Sequence, residues 1–514
     1  MTKIKTFFLC LFFLGTFVFS AEFNQSIQRP LNVTVNAFDY VLDPFLSNYA
    51  SEAQILNALY EGLFSYHPQT LEPVPTLADS FKISRNKLTW TFTLRDGIKF
   101  SNGKAITAGD IRRSWLTVLK PETNAPFASL LDCIEGAALY RSGLVSEDKV
   151  AISVKDDKTL VVRLTSPTGH FSKLLCHHSF SAVSEEANVY SGAFVLEEYS
   201  PEKIILKKNP EYWNAENVAL PAINITLCGD EKENTFNFNA GLTDWVDGTV
   251  DAGNILDRNA IALGTQFGTE YLFFKSEKSP WNTDDARNAL LYAIPWEELR
   301  KNHLVPADTF MIALRGYPDV NGVGDTDLEY ALSLLEKADI KKDGKIPPVK
   351  MAISDTKYSR EMSEILDKAF EKIGVRLEVQ KTPLNRYLDS ITNWDADIFT
   401  YSWIGDFADP LAFLELFRGD SSLNVTAWKN DEYDAIIKEA SGITDEEKRY
   451  EKLAQAEQLL LDSGEIIPVS HPVSFNVVDF TSVCGWFDNA LDIHPFKYIY
   501  FKETEQTLLI VKAD

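Results

Sequence analysis

Residues 88–103 read Leu-Thr-Trp-Thr-Phe-Thr-Leu-Arg-Asp-Gly-Ile-Lys-Phe-Ser-Asn-Gly. From Leu88 to Leu94, large apolar side chains alternate with threonine. That period of two puts Leu88, Trp90, Phe92 and Leu94 on one face of a strand and the threonines on the other. Arg95-Asp96-Gly97 then turns the chain. Downstream, Thr107 and Asp110 have the spacing of a capping box, and Ile111, Trp115, Leu116 and Leu119 follow at helical intervals. A half-buried strand, a tight turn and a capped amphipathic helix in succession set the pattern for the chain.

The pattern continues in both directions. Residues 159–165 and 203–207 are rich in Val, Ile and Leu and read as strands. Residues 282–294 form a helical period with Asp284 and Asp285 in the first turn, where carboxylates suit the helix dipole. Thr326 and Glu329 have capping-box spacing ahead of Leu328, Ala331, Leu332 and Leu335. Residues 349–353 predict a strand, and residues 358–373 a helix stopped by Gly374. Residues 375–379 and 397–402 predict further strands. Thr444 and Glu447 are placed to cap a helix running to Ser463, ahead of a strand over 466–470. Strand–helix–strand alternation predicts an α/β lobe built on a mixed sheet.

The 514 residues carry 50 Lys+Arg against 74 Asp+Glu, a formal charge of -24, and 45% are hydrophobic. The apolar fraction supports sizeable cores and excludes disorder as the main state. So acidic a balance argues against nucleic-acid partners, which need basic surface, and against electrostatic binding to anionic lipid. At the N-terminus, Lys3 and Lys5 precede an apolar run from Phe7 to Phe19, and Val18-Phe19-Ser20 offers a cleavage site. Residues 1–20 therefore read as a secretory signal peptide, the run being short of the roughly 20 residues that span a bilayer. Beyond it lie Cys133, Cys176, Cys228 and Cys484; four cysteines allow three pairings, and isolated thiols are the alternative.

Catalytic motifs are absent: no nucleophile elbow, no paired zinc-binding histidines, no P-loop and no complete dinucleotide fingerprint occurs. Gly322-Val-Gly324 reads as a turn. Cys176-His177-His178 would place its neighbouring side chains on opposite faces if extended, which is awkward for a shared metal ion. No metal and no cofactor is expected, and no enzymatic activity.

Around the opening stretch stand Tyr60-Glu-Gly-Leu63, Pro73-Val-Pro-Thr-Leu-Ala-Asp-Ser80 and Ile106-Thr-Ala-Gly-Asp110. Further on come Ser191-Gly-Ala-Phe-Val-Leu196, Ile204-Ile-Leu-Lys-Lys-Asn-Pro-Glu-Tyr-Trp213, Trp403-Ile-Gly-Asp-Phe-Ala-Asp-Pro410, Tyr433-Asp-Ala-Ile436 and Ile467-Pro-Val-Ser470. In this order they resemble the family-5 extracytoplasmic solute-binding proteins, the oligopeptide- and dipeptide-binding components of ABC importers. The resemblance implies a two-lobed periplasmic-binding-protein fold of the large type II cluster, with an extra domain on the N-terminal lobe and a ligand cleft between the lobes. It implies residues 22–60, 166–267 and 485–514 as the first lobe, 61–165 as the extra domain and 268–484 as the second lobe.

The same resemblance assigns roles. A general peptide receptor must hold what all peptides share, a backbone and a terminal amine. Asp406 matches the family's amine-binding Asp; a turn cap is its other reading. Ser402, Trp403 and Ile404 match the segment that pairs with peptide backbone, and Asn48, Tyr49 and Ala50 the facing segment of the first lobe. Arg360 falls near a basic position that meets a peptide carboxylate, and reads equally as a solvated helix residue. Three positions depart from better-known oligopeptide receptors: Asn48 replaces an acid, Thr400 an arginine and Ile404 a cysteine, so that cysteine's disulfide has no counterpart here. The implied partners are an oligopeptide and the membrane subunits of an ABC importer, with a monomeric chain exported beyond the cytoplasm. The same fold binding a dipeptide, nickel chelate, oligosaccharide or haem, or acting in adhesion, is the alternative.

Overall fold

The computed structural model describes residues 28–47, 49–275, 279–312, 314, 316–387, 391, 393–405, 407 and 409–502. Three sheets organise them. A seven-stranded sheet runs in the order Ile261–Thr265, Val473–Val478, Trp245–Asp247, Leu31–Val35, Ala222–Leu227, Lys203–Lys208, Phe194–Tyr199. A five-stranded sheet has the order Leu377–Thr382, Val349–Ser354, Ile398–Ile404, Gly268–Phe274, Ile466–Ser470. A four-stranded antiparallel sheet holds Ala78–Ile83, Thr89–Leu94, Thr159–Arg163 and Ile152–Asp156. The five-stranded sheet is mixed, as the alternation predicts: its first three strands are parallel, and the last two pairings are antiparallel.

The opening stretch behaves as its period requires. Trp90, Phe92 and Leu94 are buried and the threonines between them are not. Behind them packs the helix Ala108–Leu119, which opens on the Thr107–Asp110 capping box and buries Ile111, Trp115, Leu116 and Leu119. Trp115 donates its indole N–H to the Phe180 carbonyl at 2.8 Å, tying this unit to the segment after it.

Two neighbouring segments cross between the large sheets. Thr265 pairs with Val473 in the seven-stranded sheet, the Gln266 N–H donates to the Pro472 carbonyl at 2.9 Å, and Glu270 pairs with Ser470 in the five-stranded sheet. The return crossing therefore lies at His471-Pro472. Val473–Val478 pairs with Trp245–Asp247 and Ile261–Thr265 and belongs to the seven-stranded sheet. Such pairings between distant parts of the chain leave no local trace in sequence.

Two caps also shift by one residue. The helix Leu328–Lys337 is capped by Asp327, whose carboxylate accepts from the Tyr330 N–H; Thr326 instead donates to the Ile294 carbonyl. The helix Glu446–Asp462 is capped by Asp445 rather than Thr444. In both, a threonine is followed by an aspartate with equal capping geometry, and the carboxylate has the added attraction of the helix N-terminus.

The motifs around residues 60 and 210 are structural. Glu61 is buried, ion-paired with Lys497 at 2.9 Å, and accepts the hydroxyl proton of Tyr212. A Cβ on Gly192 would stand 2.4 Å from the Ala58 carbonyl oxygen, so the chain passes the end of the helix Ala50–Leu59 only as glycine. Cys133, Cys176, Cys228 and Cys484 are free thiols. Among the described residues, no helix is long and apolar enough to cross a membrane.

Candidate ligand-binding cleft

The strand Ile398–Ile404 forms one wall. On one side it pairs along its whole length with Gly268–Phe274. On the other it meets Val349–Ser354 only at Ile398 and Phe399. Antiparallel pairing alternates, so every second residue turns its N–H and C=O toward the partner. The Lys275 N–H donates to the Asp397 carbonyl at 2.8 Å and the Gly405 N–H to the Phe267 carbonyl at 2.7 Å, which sets the phase. Phe399, Tyr401 and Trp403 thus face Gly268–Phe274, while Thr400, Ser402 and Ile404 face the opposite edge. Tyr387 closes that edge at Thr400: its hydroxyl lies 3.0 Å from the Thr400 carbonyl and accepts the Thr400 N–H at 2.8 Å. Burial pushes the Tyr387 phenol up to about 12, so it stays neutral. Among the described residues the strand pairing along this edge ends at Ala352 and Phe399, which leaves the main-chain groups of Ser402 and Ile404 without a paired strand on that side.

The side chains fix this edge in place. Trp403 is buried and donates its indole N–H to the Ala412 carbonyl at 2.8 Å. Ser402 is exposed. Gly405 has no room for a side chain: a Cβ would lie 2.7 Å from the Phe267 ring. The position opposite Ile404 is Gly268, equally crowded by Pro472.

The facing wall is the N-terminus of the helix Ala50–Leu59. Buried Glu52 organises it, one oxygen accepting from the Val41 N–H at 2.7 Å, the other from the Ser47 hydroxyl at 2.8 Å and the Tyr49 N–H at 3.2 Å. This places Tyr49, half exposed, at the N-cap and Ala50 at the first helical position. Ala50 and Ile404 line one small cavity of about 10 Å³, room for a single water, together with Gly405, Ala53, Asn57 and the pair His177-His178. The structure therefore brings together Ala50 and Ile404 from the two predicted segments. Asp406 and Asn48 lie outside the described residues. Arg360 is not part of the cavity lining; it is half exposed on the helix Lys357–Glu371 and ion-paired with Asp355 at 2.7 Å.

His177 and His178 are the residues that sequence reasoning placed wrongly. They are not on a strand: His177 caps and His178 opens the short helical turn His178–Phe180, which follows the turn Phe171–Leu174, and their ring centroids lie 4.2 Å apart. Phe127 packs with its ring centroid 4.3 Å from that of His177 and 6.4 Å from that of Trp403. Burial lowers His177 to about 3, and burial with the neighbouring His177 holds His178 well below the usual histidine range, so both are neutral. Among the described residues, no group of three or more His, Cys, Asp or Glu is placed to hold a metal ion.

Two charged contacts bracket the exit from the cleft strand. Asp409, in the motif after Trp403, takes a bidentate bond from Arg449, both contacts at 2.7 Å, and also accepts the Leu411 N–H. Burial alone would raise the Asp409 carboxyl, but Arg449 holds it at about 2. Further on, Arg418 pairs with Asp132 at 2.9 Å, and Asp132 also receives Arg141 at 2.6 Å. Beside it, Ser422 accepts the Ser129 N–H and donates to the Pro126 carbonyl.

The profile described as bacterial extracellular solute-binding proteins, family 5 Middle, matches residues 72–424. The oligopeptide-binding protein OppA of Bacillus subtilis is 28% identical over 477 residues, 86% of this chain and 87% of its own. The dipeptide-binding protein DppE of the same organism is 29% identical over 445 residues, 81% of this chain and 82% of its own. The structure of the Escherichia coli murein tripeptide binding protein MppA superposes with a TM-score of 0.82 at 24% identity, over 93% of this chain and 99% of that one. The two crossings, the extra four-stranded unit and the cleft between the large sheets are thus the two-lobed periplasmic-binding-protein fold, and the chain belongs to the family-5 bacterial extracellular solute-binding proteins.

Proposed function

We propose that this protein captures oligopeptides outside the cytoplasm, without chemical change, and delivers them to the membrane subunits of an ABC importer as a monomer. The observation that carries the reading is the open strand edge at Ser402 and Ile404, facing the Ala50 helix across the cleft. An extended peptide added to that edge gains main-chain hydrogen bonds whatever its side chains are. Asp406, two residues beyond Ile404, would hold the terminal amine; the support is its Trp403-Ile-Gly-Asp context. Tyr49 and Ala50, with Asn48, would meet the peptide from the first lobe. Hinge motion at residues 265–268 and 470–473 would open and close the cleft, with the lobes divided there and 61–165 as the extra domain. Arg360, paired with Asp355, has a weaker claim on the peptide carboxylate.

Isothermal titration with tri-alanine and with N-acetyl-tri-alanine tests the reading. Binding of the free amine, with affinity at least about tenfold weaker after acetylation, is expected for a lost charge-assisted bond. Equal affinity for the two would remove Asp406 from its role, and no binding of any oligopeptide would remove the function.

A further inference from the structure

Between the two large sheets the crossing segments lose their regular pairing. The ladder stops at Thr265 with Val473 and resumes at Glu270 with Ser470. Residues 266–269 on one crossing thus stand against only His471 and Pro472 on the other. The Gln266 N–H donates to the Pro472 carbonyl across this gap, and Pro472 has no N–H to return. Phe267 is held from both sides instead. Its N–H donates to the Ala490 carbonyl at 2.7 Å, in the loop that carries Asp492, and its carbonyl accepts from the Gly405 N–H at 2.7 Å, at the end of the strand Ile398–Ile404. A mismatched stretch of this kind bends where a regular ladder resists.

Side chains bridge the two crossings on either side of that stretch. On the five-stranded side, buried His471 points its Nδ1 at the Gly268 carbonyl, 2.9 Å away, and at the Thr269 hydroxyl, 3.2 Å away. A carbonyl only accepts, so Nδ1 carries the proton. The Thr269 hydroxyl gives its own proton to the Phe310 carbonyl at 2.7 Å, so it too accepts from the ring. The His471 main chain is fixed as well, its N–H donating to the Val305 carbonyl at 2.8 Å. Gly268 lets the crossings approach, since a Cβ there would lie 2.8 Å from Pro472 Cγ. On the seven-stranded side the bridge runs through Asp492. One oxygen accepts from the Gln266 amide at 3.1 Å, on the first crossing. The other accepts from Asn476 at 2.9 Å, on the strand Val473–Val478 that follows the return crossing. Gln266 and Asn476 are both buried, so water does not compete for these bonds.

We infer that His471 and Gln266 are positioning residues for closure: His471 ties the crossings together at the five-stranded sheet, Gln266 does so through Asp492 at the seven-stranded sheet, and bending is thereby confined to Phe267 and Pro472 between them. This rests on the hinge motion proposed above. A hinge confined to one pivot has few open orientations, so little conformational freedom is lost on closing. Removing either bridge multiplies the open orientations. The measured affinity then falls with the closed fraction, while every contact to the ligand is kept.

The test combines isothermal titration with tri-alanine and small-angle X-ray scattering of the peptide-free protein, on wild type, His471→Ala, His471→Asn and Gln266→Ala. The two alanine variants, each checked for a cooperative thermal transition, are expected to weaken binding by about fivefold to tenfold. Both are expected to enlarge the radius of gyration of the peptide-free protein. His471→Asn puts an amide N–H where the Nδ1–H stands, and is expected to return the affinity to within about twofold of wild type and the radius to the wild-type value. Gln266→Ala leaves Asp492 its bond from Asn476 and decides the question where the His471→Ala variant fails to fold. Wild-type affinity and radius in the alanine variants overturn the inference and leave the peptide reading standing, and so does a loss in His471→Ala that His471→Asn fails to restore. Binding of no tri-alanine by wild type counts against the peptide reading alone, because the scattering needs no ligand and still decides the hinge roles.

Discussion

Arg449–Asp409 and Arg418–Asp132 use the same chemistry in two different mechanical settings. Both join a guanidinium to a buried carboxylate, with contacts of 2.7 and 2.9 Å. The first joins two parts of the second lobe: Arg449 is on the helix Glu446–Asp462, and Asp409 ends the motif that leaves the cleft strand. It holds a loop in place whether or not the lobes meet. The second joins positions 286 residues apart in the chain, which the proposed division assigns to the second lobe and the extra domain. A buried ion pair adds little net stability compared with apolar packing but is costly to break singly. Inside one body that property fixes geometry. Between two bodies it would favour the arrangement in which they meet.

The largest effect separates the two settings on stability. Asp409→Asn leaves Arg449 buried without its counter-charge and is expected to lower unfolding stability by about 3–5 kcal/mol in urea denaturation. A loss under about 1 kcal/mol would show that the loop is held by its apolar contacts instead. Arg418→Ala should do the reverse. Because it also strips Glu415 of its partner at 2.8 Å, it is expected to lower the urea midpoint less than Asp409→Asn does, and to weaken tri-alanine binding by about tenfold, through a less favourable closed state. A lowered midpoint with unchanged affinity would merge the two sites into one structural class.

The smallest effect is in pH. The Asp409 carboxyl lies at about 2 in the folded protein against the ordinary 3.8. A depressed carboxyl contributes stability that is fully present above the unfolded value and is lost as the pH falls through the folded one. Stability measured from pH 5 downward should therefore fall between about pH 4 and pH 2, and Asp409→Asn should flatten that limb. Arg418→Ala should leave the contribution of Asp409 in place. An acid limb equally steep in Asp409→Asn would assign it to other carboxylates.

How much of this was legible in the sequence differs by the range of the interaction. The strand at Thr89–Leu94 and the capped helix Ala108–Leu119 follow from local period and spacing, and both are present as read. Asp327 and Asp445 displaced the predicted threonine caps because two competent residues stood side by side. The motif order pointed to the family, since several of its residues are anchors such as Glu61, Tyr212 and Gly192. The second crossing was not legible, because the strand Val473–Val478 is assigned only by partners more than two hundred residues earlier. The cavity histidines were misread for a similar reason. An extended reading of Cys176-His177-His178 sends neighbours apart, whereas the short helical turn brings the two tilted rings to 4.2 Å. Their one sequence signal was two adjacent histidines in a chain that has seven.

The central claim is that the edge at Ser402 and Ile404 is completed by a peptide main chain. A crystal structure of the mature protein with a bound tripeptide tests it most directly. The account predicts peptide N–H and C=O groups within hydrogen-bond distance of the Ser402 and Ile404 main chain, with the terminal amine toward Asp406. A peptide bound elsewhere, or one whose backbone leaves that edge unpaired, would contradict it.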